Sequence, residues 1–205
     1  QARRQDMGVF IISPTDKGGH LHSPSARLLE LCAPLHPIVF NDLFCLSDPR
    51  VHTISVGAAR PSDFDLHLEA LDLLPQARKL VDPIDLRLRR AVCDALGESW
   101  SNTWHLGLPD WDQTPGEINL PMLLWLYNLL EAWDLQSFAQ ARYRLLGNGG
   151  HWFPGANADE LDTAVSEAQL LSVLGQSPWA ERIPGILRSL RDRLSGTPER
   201  RLTEV

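Results

Sequence analysis

The sequence predicts an α/β fold that turns all-helical in its second half. Two short apolar, β-branched runs, residues 8–13 and 51–56, each precede a loop and a helical stretch, and no comparable run follows residue 80. Strand, loop, helix, strand, loop, helix is the order of a parallel sheet, because parallel strands need a crossover that a helix normally supplies. Composition permits a real core: 43% of the 205 residues are hydrophobic and 22% are charged, ordinary values for a globular chain.

The run Gly8-Val-Phe-Ile-Ile-Ser13 reads as a strand buried on both faces. Residues 14–24, rich in Gly, His and Ser, form a loop. Helical spacing returns over 25–34, and a second helix is expected over about 37–46, closed by Ser47-Asp48-Pro49. Val51-His-Thr-Ile-Ser-Val56 reads as a second buried strand, meeting Gly57 and a turn over 58–61. Ser62 or Asp63 caps the next helix, whose apolar stripe is Phe64, Leu68 and Leu71. Further helices are expected over 82–97, 120–133, 135–146, 158–174 and 183–195. Residues 98–119 are Trp-rich and irregular, and 148–155 form a Gly-rich turn holding His151-Trp152-Phe153. The expected organisation is an α/β part over 1–80, a helical extension over 81–196 and a disordered tail over 197–205.

Composition also excludes. The net charge is −7 and no stretch is strongly basic, so neither nucleic acid nor an anionic membrane is an expected partner. No apolar run approaches the roughly 20 residues of a bilayer span, and there is no signal-peptide pattern. Three widely spaced cysteines, Cys32, Cys45 and Cys93, argue against a disulfide framework and for a reducing cytoplasm. The chain opens Gln-Ala-Arg-Arg and reaches a strand-like run by Gly8, so it is expected to be a piece of a longer protein.

Several single residues also have plainer roles open to them. His20-x-His22 has a metal-pair spacing but no third ligand nearby, so metal is not expected. Cys32 and Cys45 read as small apolar core residues rather than reactive thiols. Trp100, Trp104 and Trp111 either line a ligand pocket or pack a core; without basic neighbours, core or interface is the expectation. Residues 149–155 read equally as a lid over an active site or as a tight turn anchored by two aromatics. The helical half contains an internal repeat: Thr114-Pro115 through Pro121 matches Ser177-Pro178 through Pro184, each leading into an apolar helix.

Four segments carry a family resemblance: Gly8-Val-Phe-Ile-Ile-Ser-Pro-Thr-Asp-Lys-Gly-Gly-His-Leu21, Val51-His-Thr-Ile-Ser-Val-Gly-Ala-Ala-Arg-Pro-Ser-Asp-Phe64, residues 114–128, and Ala141-Arg-Tyr-Arg-Leu-Leu146. Together they resemble the aldo/keto reductase superfamily, in particular its branch with a ferredoxin-like C-terminal extension. The resemblance implies the C-terminal part of a (β/α)8 TIM barrel, about two βα units, followed by an all-α, degenerate ferredoxin-like extension. Residues 8–13 would be the sixth strand and 51–56 the seventh. Two strands cannot close a barrel, so an open apolar edge that invites association is expected.

Active sites of such barrels lie at the C-terminal strand ends, and phosphates bind at the last loops. The resemblance therefore assigns the NADP(H) of the complete protein to Ser13, Pro14, Thr15, Lys17 and Gly18 after the first strand, and to Gly57, Ala58, Arg60, Ser62 and Asp63 after the second. The chemistry agrees with the assignment. A glycine-bearing loop brings backbone N–H groups close to a phosphate. A helix start offers free N–H groups and the positive end of the macrodipole. Arg60 offers a guanidinium fork for an adenosine 2′-phosphate. The family's adenine-contacting carboxylate–Asn pair is replaced here by Leu66 and His67.

The family's Asp/Tyr/Lys/His tetrad sits on earlier strands. Lys17, Tyr127 and Tyr143 do not match it, so no catalytic residue is assigned to this chain and it is not expected to be active alone. The complete protein is expected to reduce a small-molecule carbonyl by hydride transfer from the nicotinamide, with the tetrad tyrosine as acid. Relatives with clusters carry Cys-x-x-Cys-x-x-Cys before a Cys-Pro. Thr114 and Ser177 stand at the Cys-Pro positions and no cysteine follows Cys93, so no iron–sulfur cluster is expected. The same loss motivates an alternative, a non-catalytic degenerate reductase acting as a binding or assembly module through its helical extension.

Overall fold

A computed structural model describes residues 1–15, 19–58, 60–148 and 154–197. Lys17, Gly18, His151-Trp152-Phe153 and the tail expected beyond 197 lie wholly or almost wholly outside the described residues. The chain divides into two compact units, Gln1–Ala91 with Trp133–Leu135, and Val92–Ala132 with Gln136–Val205. The division after Ala91 falls inside a single helix, Ala77–Leu96.

In the first unit β1 (Val9–Ile12) and β2 (Val51–Ser55) pair in parallel, with Phe10 opposite Thr53 and Ile12 opposite Ser55. The crossover consists of α1 (Ala26–Cys32) and α2 (Pro37–Leu46). Local chemistry sets both helix starts. Ser25 Oγ accepts from Leu28 N–H at 3.0 Å and donates to Trp133 O at 2.8 Å. His36 Nδ1 accepts from Ile38 N–H at 3.2 Å, and Pro37, which has no N–H to satisfy, takes the first helical position. A short 3-10 turn (Pro61–Phe64) then leads into α3 (Asp65–Leu73), which packs on α2, and α4 (Ala77–Leu96) follows. Leu28, Ile38, Val39, Leu43, Val81 and Ile84 form the core of this unit.

The strands are not buried on both faces as their composition suggested. Phe10 is 60% exposed and Ile12 is 64% exposed. The cause is the layering: α2 covers one face of a two-stranded sheet, and among the described residues no element covers the other. The stripe expected to bury α3 is also on the wrong side. Phe64, Leu68 and Leu71 are exposed, and the buried residues of the helix are His67 and Ala70. α4 starts five positions before the expected residue 82 and carries Pro83 inside it. Proline lacks only its own N–H, and the helix continues past it with Val81, Ile84 and Leu88 inward.

The second unit holds α5 (Glu98–Thr103), α6 (Leu120–Trp133, its last residue in the first unit), α7 (Gln136–Leu145), α8 (Glu167–Val173) and α9 (Ile183–Leu194). The helix expected over 158–174 shrinks to α8. Residues before it form an irregular segment tied by the bridges Ile118–Ala156 and Leu161–Val165. Ser166 and Gln169 then build a reciprocal cap that starts α8 there. The chain is thus α/β and mostly helical, with two parallel strands among the described residues. Among the described residues no single helix is long and apolar enough to cross a membrane.

Candidate functional site

The parallel register sets the geometry of the predicted site. Because Ile12 lies opposite Ser55, the two strands end side by side and their following loops leave from the same end of the sheet. Ser13 extends the ladder by one bond, its N–H donating to Ser55 O at 3.1 Å, and then turns into the left-handed region with φ 51°. Pro14 and Thr15 fold inward and are buried, and Leu21 N–H closes the loop on Thr15 O at 3.0 Å. Thr15 Oγ1 is buried without a hydrogen-bond partner among the described residues. Gly19 is buried beside Leu21 and Leu135. Lys17 and Gly18 lie outside the described residues.

The second loop faces solvent. Gly57, Ala58, Arg60 and Ser62 are exposed and Asp63 is half-buried. Arg60 is not a bare cation. Its Nε donates to Asp63 Oδ1 at 2.9 Å and its backbone N–H donates to Asp63 Oδ2 at 3.2 Å. The groups expected to take a phosphate, an arginine and an N–H at a helix start, are therefore held by the chain's own carboxylate. With 77% of the Arg60 side chain exposed, this pair contributes on the order of 1 kcal/mol or less.

A neighbouring polar feature escaped the sequence reading. Asp42 on α2 is 1% exposed and His67 on α3 is 7% exposed. His67 Nδ1 and Asp42 Oδ2 form a short hydrogen bond between residues 25 positions apart, and His67 Nε2 is buried with no partner. Burial pushes the Asp42 carboxyl above the usual carboxylate range, while His67 beside it pulls the other way. A signal was present in the sequence, since Asp42 falls on the Ile38, Val39, Leu43 face of a helix where a charge is out of place. Among the described residues no group of three or more His, Cys, Asp or Glu comes together to hold a metal ion.

The cysteines and tyrosines lie on helices. Cys32 is 1% exposed, and burial pushes its thiol up to about 11 against the opposing pull of Arg87. At pH 8 its thiolate fraction is on the order of one in a thousand. Alkylation followed by mass spectrometry should leave Cys32 unmodified in the folded protein and label it promptly in urea; prompt native labelling would refute its place in the core. Tyr143 is fully buried, its hydroxyl donating to Asp159 Oδ1 at 2.7 Å. Burial and that carboxylate hold the phenol far above its usual range. A depression of about 550 Å³, lined in part by Ile11, Phe44, Pro49, Arg50, Val51 and Val81, opens beside the entry of β2 rather than at the strand ends.

In the helical unit the two repeat copies have matching local structure. Each hydroxyl residue is buried, each ends a turn, and each apolar helix begins with proline at its second residue. Thr114 Oγ1 lies 2.7 Å from Trp111 O and 2.8 Å from Ile118 O, two acceptors for its proton. Ser177 Oγ accepts from Trp179 N–H at 3.2 Å. The side chains standing where the resemblance places cluster cysteines thus close turns. Trp100 packs against rings from distant segments. Its ring sits edge-on to Trp179 at 5.2 Å and to Tyr127 at 5.9 Å, and its Nε1 donates to Asn128 Oδ1 at 2.7 Å. Arg182 lies over the Trp100 ring at 4.4 Å.

The run Ala141-Arg-Tyr-Arg-Leu-Leu146 is a packing device as well. Arg144 donates from Nε to Leu194 O and from a terminal nitrogen to Ser195 O, both at 3.1 Å, so it caps the end of α9. Residues 154–156, the described end of the Gly-rich segment, are fastened to the first repeat copy: Ala156 N–H donates to Glu117 O at 2.7 Å and Asn119 Nδ2 donates to Pro154 O at 2.9 Å. No family model, no curated protein and no solved structure matches this chain.

Proposed function

We propose that this chain is the cofactor-gripping part of an NADP(H)-dependent oxidoreductase of aldo/keto reductase type, supplying binding loops but no catalytic tetrad. The observation that supports it is the strand register, which sends residues 13–15 and 57–63 out from the same end of a parallel pair, where α/β enzymes bind nucleotides. The bare sheet face at Phe10 and Ile12 is what a barrel interior would cover in a longer chain. In such a barrel the two strands fit the last pair better than the sixth and seventh, because only helices follow α3 among the described residues. A cytoplasmic setting and a small carbonyl substrate belong to the same reading.

In this reading Arg60 binds the 2′-phosphate once that phosphate has displaced Asp63. Calorimetry with NADPH and NADH on the intact protein tests it. Arg60→Ala should weaken NADPH about tenfold or more and NADH little, and Asp63→Asn should strengthen NADPH, since about 1.4 kcal/mol is a tenfold change. Equal loss of both nucleotides in Arg60→Ala would remove the assignment.

The second reading, a non-catalytic module working through its helical extension, is favoured by one specific feature. Thr114 and Ser177 are buried in turn-closing bonds, the role that an extension held by packing would give them. The sequence of the intact protein upstream of Gln1 discriminates: an Asp/Tyr/Lys/His tetrad supports the enzyme, and strands without it support the module.

A further inference from the structure

α3 carries apolar side chains on two sides, and the side turned inward is the one that also holds His67. Its inward side holds buried His67 and Ala70 with half-buried Leu66 and Leu73, while Phe64, Leu68 and Leu71 stand 45%, 58% and 54% exposed. At about 100° per residue the apolar stripe lies roughly 100° around the axis from the face in use. Apolar area alone does not choose between the two sides, since each carries leucines and area removed from water is the main driving force for packing a helix. The face in use also leaves His67 Nε2 buried without a partner. What the apolar stripe cannot offer is the hydrogen bond from His67 Nδ1 to the buried Asp42 carboxylate. Asp42 itself, 1% exposed on the packing face of α2, would lose its one strong partner if the helix turned; Asn41 Nδ2, at 3.4 Å, is a weak substitute.

We propose that the Asp42–His67 bond is a rotational latch: it, rather than apolar burial, fixes the roll of α3 on α2, and its loss lets the helix roll to bury Phe64, Leu68 and Leu71. A single buried polar pair that selects one packing out of several is a known use of such pairs. The latch keeps the apolar stripe outward. It also fixes residues 61–64, which run into α3 and carry the Arg60–Asp63 pair at their start. The proposal does not depend on the cofactor reading.

Reciprocal thiol labelling tests it in the full chain. Leu68→Cys and Ala70→Cys are made separately, alkylated in the folded protein, and read by mass spectrometry of the peptide that contains the site. With the latch intact position 68 should label fast and position 70 slowly, since Ala70 is 1% exposed. In the Asp42→Ala/His67→Ala background the order should invert, with position 68 slowed at least about tenfold and position 70 accelerated by a similar factor. Asp42→Asn, whose amide oxygen still accepts from Nδ1–H, should retain the original order. An unchanged order in the double variant overturns the proposal, and so does fast labelling at both positions, which would mean that no second packed orientation exists.

Discussion

Replacing Gly107 by alanine should destabilise the helical unit by roughly 3 kcal/mol or more, a left-handed residue costing about 1–2 kcal/mol and a backbone collision adding to it. Gly107 has φ 67°, a conformation that disfavours any Cβ. A Cβ built there lies 2.1 Å from Gln176 O and 2.7 Å from Ser177 N. These are backbone atoms, so no flexible side chain can step aside. The collision falls on the residue before Ser177, which opens the second repeat copy and closes the turn leading to α9. The outcome to look for is loss of the cooperative thermal transition of this unit, or a large fall in its midpoint, by far-UV circular dichroism. A variant melting within a degree or two of the parent would show that residues 107 and 176 do not meet.

Trp100→Ala should cost about 3–5 kcal/mol, the usual range for deleting a large aromatic from a core. Trp100 is fully buried. Its removal takes away the contacts of the ring with Trp179 and Tyr127 and the platform under Arg182. It also leaves Asn128 Oδ1 without its donor in a site 7% exposed. Trp100→Phe separates the two contributions. It retains most of the ring volume but not the Nε1–H, so it should cost about 1–3 kcal/mol, the range for orphaning a buried acceptor. Urea unfolding of both variants gives the comparison. If phenylalanine is as damaging as alanine, the hydrogen bond dominates; if it is neutral, the Asn128 contact is not formed.

Much of the local structure was legible. Residues 37–46 and 120–133 form helices with the expected bounds, because proline near the start and a continuous apolar face are strong local signals. Both strands appeared where the β-branched runs predicted them, and their parallel pairing agrees with the helical crossover between them. The predicted loop residues Ser13, Pro14, Thr15, Gly57, Ala58, Arg60, Ser62 and Asp63 all lie at or beyond the C-terminal strand ends. The engagement of Arg60 by Asp63 was not foreseen. Three positions of spacing at a helix start allow that bond but do not require it, and whether a carboxylate turns back onto the arginine depends on the loop conformation.

By itself the sequence determined where most of the helices and both strands lie, where proline starts several of them, and that no cysteine follows Cys93 to hold a cluster. Only the tertiary structure decided which side of each element faces inward. The stripe Phe64, Leu68, Leu71 carries the helical period, and the period states that one face differs from another without stating which face a partner will choose. That choice was made by Asp42, 25 positions away from His67. The same holds for Trp100 beside Trp179 and for Gly107 against Gln176. A repeating pattern is written along one segment, whereas a contact between distant segments depends on how both have folded.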